Sequence, residues 1–329
     1  ETLSVSIYVT WLQRSNLAGA TQIALIGLVI VSLVLVVERI ARGDSRFHHT
    51  TGRYRAIPFQ DIEGWRGYAA AVLCGLPVVI GFVVPVIVLA RHATAHFGEA
   101  FAEGFVPAAI NSILVAGAVA VVAVVLSLAL AYAGRVAGHG PVPAAIRLAG
   151  MGYALPGTVL AIGVLIPFAM FDNWMDALLK AHIGVGTGLI LSGTLFALVF
   201  ALTTRFLTVA LGNIEAGLQK VSPNLDAAAR TLGETPLSAL RRVHLPLLLP
   251  AMGAAGLLVF VDTMKELPAT LLLRPFNFDT LATHVYGLTA LEQFERAALG
   301  ALAIVVVGLV PVLMLHRTVA TSRPGSGSG

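Results

Sequence analysis

An all-α fold, a polytopic membrane bundle of about seven transmembrane helices, follows from three observations. Of the 329 residues, 57% are hydrophobic and 12% charged, whereas a soluble domain carries about 25% charged residues. Apolar runs recur along the chain at about 20 residues, the length that crosses roughly 30 Å of hydrocarbon. These runs are continuous, without the alternation of a membrane barrel.

The spans are placed in order. The first, 21–37, follows an opening stretch that holds Arg14. The second, 68–90, contains Cys74, the single cysteine, which excludes an internal disulfide and reads as a small buried hydrophobe. The third, 108–132, opens on Asn111 and Ser112, and the fourth, 148–171, contains Tyr153 and Pro156. The fifth, 186–204, leads into a long part-polar segment, 205–246. The sixth, 247–264, ends beside Lys265 and Glu266, and the seventh is 297–316. The segments 38–67, 133–147, 205–246 and 317–329 share one side and hold fifteen of the 21 Lys and Arg. Arg14, Arg91, Lys180, Lys265, Arg274 and Arg296 fall on the other. Basic residues favour the cytoplasm, so the first set is cytoplasmic. The net charge of +4 reflects this asymmetry spread over several loops, not a nucleic-acid surface.

The chain contains an echo. Glu1–Tyr8 reads ETLSVSIY and Asp279–Tyr286 reads DTLATHVY. Each is followed by one apolar span and a basic end, Glu38-Arg39 in one case and His316-Arg317 in the other. The expected organisation is therefore 1–37 as the last segment and helix of a truncated first copy, and 38–66 as a cytoplasmic linker. A complete second copy, 67–322, follows, and the tail 323–329, RPGSGSG, reads as an appended linker. His48 and His49 in the linker read as a solvated loop in preference to a metal pair.

Within the cytoplasmic segment, 222–246 reads SPNLDAAARTLGETPLSALRRVHLP. Ser222 can cap a helix that has Pro223 at its first position. Leu225, Ala228, Ala229 and Leu232 then fall on one narrow apolar face. Gly233 stands where a left-handed residue ends a helix. The pattern restarts with Thr235 as cap and Pro236 first, with Leu237 and Leu240 on one face. Arg241 and Arg242 come near the second end, where cations suit the helix dipole, and Leu245-Pro246 leads into the next span. Helices this short are marginal alone in water. They either dock in a partner's groove or lie on their own membrane domain.

This stretch resembles the cytoplasmic motif of permease subunits in binding-protein-dependent ABC importers, E-A-A, three residues, G, nine residues, I, one residue, L-P. Here the motif is Ala227-Ala228-Ala229, Gly233 and then Val243, His244, Leu245 and Pro246. The departure is Ala227 in place of the motif's Glu. Asp226 stands one position earlier, but on a helix it points about 100° away. Two further stretches, GYALPGTVLAIG (152–163) and KELPATLLLRPFNFDTLATHVY (265–286), resemble the ferric-iron branch, whose members carry two fused permease copies. The resemblance implies a type I ABC importer permease fold, and a coupling role for Asp226, Ala227, Ala228, Ala229, Leu232, Gly233, Leu245 and Pro246. The implied partners are an ABC ATPase dimer, a periplasmic substrate-binding protein, membrane lipid and a second permease half. Ferric iron is the implied cargo, with thiamine, phosphonate, polyamine and sulfate as alternatives.

No P-loop can form, since Lys180, Lys220 and Lys265 follow Leu179, Gln219 and Met264 where Gly-Lys-Ser/Thr is required. The chain reads as a non-enzyme subunit with no cofactor. Candidate path residues are Asn111, Ser112, Tyr153, Pro156, Asp262 and Glu266. The competing readings are helix–helix hydrogen bonds for the polar groups, and a self-neutralising Asp262–Lys265 pair at i, i+3. Phe276 and Phe278 read either as part of a binding-protein docking face or as interfacial anchors. A secondary transporter would explain the spans but not two capped cytoplasmic helices at motif spacing. A membrane enzyme would need a His, Asp or Glu cluster at one depth, which the sequence lacks.

Overall fold

The computed structural model describes residues 2–42, 64–137 and 140–321. The linker histidines His48 and His49 and the tail 323–329 lie outside the described residues. In chain order the helices are α1 Leu3–Tyr8, α2 Leu17–Arg42, α3 Trp65–Val78, α4 Val84–Ala95, α5 Phe97–Ala100, α6 Val106–Ala137 and α7 Val142–Ala149. There follow α8 Gly157–Ile183, α9 Leu195–Gln219, α10 Pro223–Thr231, α11 Pro236–Ala239, α12 Leu245–Met264, α13 Pro268–Leu273, α14 Leu281–Ala290 and α15 Phe294–Thr321. Among the described residues, seven candidate spans are long and apolar enough to cross a membrane. The protein is an all-α, multi-pass membrane protein, as its composition predicts.

The centre is a trio, α6, α9 and α12, each packed on the other two. Their contact surfaces are rich in alanine: Ala116, Ala123, Ala197, Ala201, Ala210 and Ala255 are all fully buried. Between helices in lipid there is little hydrophobic driving force, so close approach of small residues supplies the packing. Val119, Leu198, Leu202, Ile214, Leu248 and Val259 fill the spaces between them. Around this trio, α15 packs on α4 and α14, and α1 and α2 pack on α8 through Ile7, Ala20, Ala24 and Ile162. Cys74 departs from expectation: it lies in a span but on its exposed outer side, because no residue of α3 is buried.

Three helices carry a π-helical turn immediately before a proline. Val79–Val83 precedes Pro85, Phe101–Phe105 precedes Pro107, and Leu240–His244 precedes Pro246. A proline cannot donate to the carbonyl four residues back and its ring crowds that carbonyl, so the preceding turn widens. At the third site the widened turn keeps α11 continuous with α12. One rod therefore runs from Pro236 to Met264, where the sequence placed a separate short helix and a span from 247.

Two other boundaries differ from expectation. The fourth span is Gly157–Ile183, not 148–171. Residues 152–154 form only a single tight turn before Pro156, since the residue before a proline avoids helix geometry. The fifth is Leu195–Gln219, not 186–204. It runs straight through Arg205, whose charge is met inside the bundle. Arg205 is thus not a cytoplasmic loop residue, but Arg135, Lys220, Arg230, Arg241 and Arg242 still share one end of the bundle.

The octapeptide echo has a structural counterpart. Thr2 and Thr280 each cap the following helix through their hydroxyl oxygens, both at 3.4 Å from the backbone N–H three residues on. Both short helices end at a break with a non-glycine residue at positive φ, Ser15 (51°) and Glu292 (61°). A long helix follows in each case, α2 or α15.

Candidate functional site

The hairpin 222–246 forms as its caps dictate. Ser222 Oγ accepts from the Asn224 N–H at 3.3 Å and Pro223 opens α10. Gly233 adopts φ +78°, the left-handed conformation that ends the helix. The Glu234 N–H then closes back on the Ala229 carbonyl at 3.0 Å. Thr235 Oγ1 accepts from the Ser238 N–H at 3.3 Å, and Pro236 opens α11. Arg242 donates to Glu234 at 2.8 Å across the turn. Glu234 is held below the usual carboxylate range by its Ser238 hydrogen bond, which outweighs a smaller opposing effect of burial, with Arg242 helping.

The predicted apolar face of α10 divides in two. Ala229 is buried against the bundle, while Leu225, Ala227, Ala228 and Leu232 are exposed, Leu232 at 82%. Leu237 adds to this open apolar surface. Leu245 is half-buried at the start of α12 and Pro246 is exposed.

Asp226 turns toward the bundle, whereas Ala227 is exposed. Its Oδ2 accepts from Arg135 Nε at 2.8 Å, and Arg135 also donates to the Leu218 and Val221 carbonyls at 2.7 and 2.8 Å. Its Oδ1 pairs with Nε2 of His244, a fully buried side chain, at 2.7 Å. Tyr132 lies over the His244 ring, centroids 5.3 Å apart, and donates to the Pro236 carbonyl at 2.6 Å. Burial works against the Asp226 carboxylate, but hydrogen bonds and charge from Arg135 and His244 outweigh it and hold its pKa below the ordinary value. One carboxylate thus joins α6, the end of α9, α10 and the turn into α12.

A second polar cluster lies inside the bundle where the segments Leu155-Pro156-Gly157 and Leu267-Pro268-Ala269 meet. Glu266, only 6% exposed, caps α13: its carboxylate accepts from the Ala269 N–H, the Thr270 N–H and the Thr270 hydroxyl at 3.0–3.1 Å. Arg205 Nη1 stands 4.0 Å from Glu266 Oε1 and donates to the Leu155 carbonyl at 3.2 Å. Its Nε is buried with no partner among the described residues. Gly157 makes the cluster possible, for a Cβ there would lie 2.7 Å from both Arg205 Nη1 and Glu266 Oε1.

The other path candidates take these positions. Asn111 donates to the Asp279 carbonyl at 3.0 Å, and Ser112 Oγ accepts from the Leu281 N–H at 2.7 Å, so both tie α6 to the start of α14. Tyr153 is half-exposed beside Phe206, ring centroids 6.2 Å apart. Pro156 stands just ahead of α8. Asp262 pairs with Lys265 at 2.8 Å, the i, i+3 bridge read from the sequence. Phe276 is fully exposed next to Asn277, which has φ +58°, while Phe278 packs against the core.

Sequence reasoning missed Arg135, Tyr132, Arg205 and Gly157, and named His244 only as a position of the motif. It also missed Asp172, a fully buried carboxylate that orders the loop before α9 through the Leu191 and Ser192 N–H groups and the Ser192 hydroxyl. A signal existed for two of them: an ionisable residue within a span demands a partner, and Arg205 and Asp172 both qualify once the spans are placed correctly.

The fold is shared with chains of bacterial ABC transporters. The structure superposes on a chain of a bacterial ABC transporter that imports the acidic polysaccharide alginate, with a TM-score of 0.58 at 17% identity, covering 79% of this chain and 96% of that one. A chain of the alginate ABC transporter in complex with a pentasaccharide-bound periplasmic protein gives a TM-score of 0.57 at 18% identity, covering 76% and 92%.

In sequence the chain is similar to transport permeases. It is 30% identical over 171 residues to the Fe(3+)-transport system permease protein FbpB 2 of Haemophilus influenzae, 52% of this chain and 31% of that one. It is 30% identical over 172 residues to the putative 2-aminoethylphosphonate transport system permease protein PhnV of Salmonella typhimurium, 52% and 58%. It is 24% identical over 308 residues to the ferric transport system permease protein FbpB of Actinobacillus pleuropneumoniae, 88% and 42%. The matched regions thus span between about a third and three fifths of these relatives' lengths. No protein-family model matches the chain.

Proposed function

We propose that this chain is the transmembrane permease subunit of a binding-protein-dependent ABC importer of ferric iron in a bacterial inner membrane. It acts with a dimer of separate ABC ATPases on the cytoplasmic side and a periplasmic binding protein outside. The observation that carries this reading is the hairpin 222–246. An apolar surface of Leu225, Ala228, Leu232 and Leu237 is left open on a capped helical hairpin whose α10 is pinned to the bundle on its other side. ATP binding closes the ATPase dimer, the docked helix moves with it, and the rod that begins at Pro236 carries the motion into the membrane.

The ferric cargo is supported by the two ferric-transport relatives. A phosphonate cargo is the second reading, because the 2-aminoethylphosphonate relative matches at the same 30% identity. The matching capped segments Thr2–Tyr8 and Thr280–Tyr286 favour the two-copy organisation, with 1–37 the last segment of one copy, 38–66 a linker and 67–322 the other copy.

The test is co-purification with a candidate ABC ATPase, then, with the second permease half present, uptake into vesicles of radiolabelled iron from a loaded binding protein, with and without ATP. ATP-dependent uptake of iron is expected. Uptake driven by a proton gradient alone overturns the reading in favour of a secondary transporter, and ATP-driven uptake of 2-aminoethylphosphonate alone replaces the cargo.

A further inference from the structure

We infer that Asp226 is a positioning residue that transmits movement of α10 to the membrane bundle, and that it makes no contact with the ATPase; this rests on the importer reading above. A helix of nine residues is too short to hold its own shape or place in water. It can transmit force only if it is fastened to what it moves. On its inner side α10 buries a single residue, Ala229, which fills space but provides no directional bond.

Asp226 provides that bond. Both carboxylate oxygens are used inside the protein, Oδ2 by Arg135 and Oδ1 by His244, at 2.8 and 2.7 Å. Arg135 in turn grips the carbonyls of Leu218 and Val221, which end α9. His244 sits in the widened turn that leads into α12. A push on α10 is therefore shared by two of the three central helices, α6 and α12, and by the end of the third. Charge-assisted bonds in a partly desolvated setting are stiff and strong. The Arg242–Glu234 pair across the hairpin turn cannot replace this link, because its Arg side chain is 74% exposed and such pairs contribute little. On the other side of Asp226, Gly233 at φ +78° forms a glycine joint between α10 and the rod from Pro236. Without the carboxylate, α10 would follow its partner about that joint and leave the bundle behind.

Docking and fastening occupy opposite sides of one helix, so they are separable by experiment. The full chain is reconstituted in vesicles with its second permease half, a candidate ABC ATPase and a ferric-loaded binding protein. ATPase retention, ATP hydrolysis and iron uptake are measured for wild type, Asp226→Asn, Arg135→Lys and Leu232→Asp. Asp226→Asn keeps the shape of the side chain but removes its charge. Its ATPase retention should stay within about twofold of wild type, while iron taken up per ATP falls about tenfold, a coupling loss within the range usual for linked sites. Arg135→Lys keeps the charge but loses the fork that spans Asp226 and two carbonyls, and its coupling should fall less. Asp226→Glu should restore part of the ratio. If Asp226→Asn does not elute as a folded protein, Arg135→Lys carries the same test. Wild-type uptake per ATP in the variants overturns the inference, as does loss of ATPase retention in Asp226→Asn while Leu232→Asp retains it. A wild-type chain that retains no ATPase overturns the importer reading itself, and this is visible before any variant is compared.

Discussion

The ring of Tyr8 meets that of Tyr286 edge-on, with centroids 5.9 Å apart and planes at 82°. These two residues close the matching octapeptides Glu1–Tyr8 and Asp279–Tyr286. Corresponding points on two bodies related by a rotation touch only near the rotation axis. Under the two-copy organisation proposed above, the contact marks where a two-fold axis between the copies would pass. An edge-to-face pair is worth about 0.5–1.5 kcal/mol beyond the area it buries. Tyr8→Ala and Tyr286→Ala should each lower unfolding stability in detergent, and the double variant should fall short of their sum by about that amount. Strictly additive losses would show that the rings are not energetically joined.

Gly157→Ala should destabilise the protein. Glycine to alanine within a helix ordinarily gains up to about 1 kcal/mol. At position 157, however, the new Cβ meets Arg205 Nη1 and Glu266 Oε1 at 2.7 Å and the Ala269 nitrogen at 3.2 Å. Forced overpacking of this kind costs about 1–3 kcal/mol. Gly163→Ala in the same helix meets nothing within 4 Å and serves as the control, with unchanged or raised stability. Thermal unfolding in detergent reads both, and equal effects would show that the Arg205–Glu266 cluster yields freely.

Leu232→Asp should leave the fold intact, since the side chain is 82% exposed and surface changes usually stay within about 0.5 kcal/mol. It should abolish retention of the ATPase, because a charge would be buried in an apolar contact. Gly233→Ala should instead loosen the hairpin, as a side chain at φ +78° is strained by about 1–3 kcal/mol. Undiminished retention of the ATPase by Leu232→Asp would remove this face as the docking surface.

Acid should release α10. The native pKa of Asp226 lies below its ordinary value: burial opposes the carboxylate, but Arg135 and His244 stabilise it more. A depressed native pKa means that its stabilising contribution is complete above the unfolded value of about 3.9. The contribution is lost as pH falls from there through the native pKa. Amide exchange in Pro223–Thr231 should therefore accelerate below about pH 4, and Asp226→Asn should flatten that dependence. An acid response identical in the variant would assign it to other groups.

The class of protein, the seven spans, the two helix caps at Ser222 and Thr235 and the break at Gly233 were all readable from sequence. Each depends on residues that are near neighbours in the chain: hydropathy summed over one helix length, or a hydroxyl and a proline next to the turn they form. The hairpin motif and the octapeptide echo were readable for the same reason. Only the tertiary structure decided which way Asp226 faces, because its partner Arg135 lies 91 residues away. It also decided that Arg205 stays within α9, so that the fifth span runs on to Gln219. A charge inside a span is tolerable only where a distant segment supplies a partner. Here Leu155, 50 residues earlier, and Glu266 supply it, and hydropathy along the chain cannot register that pairing.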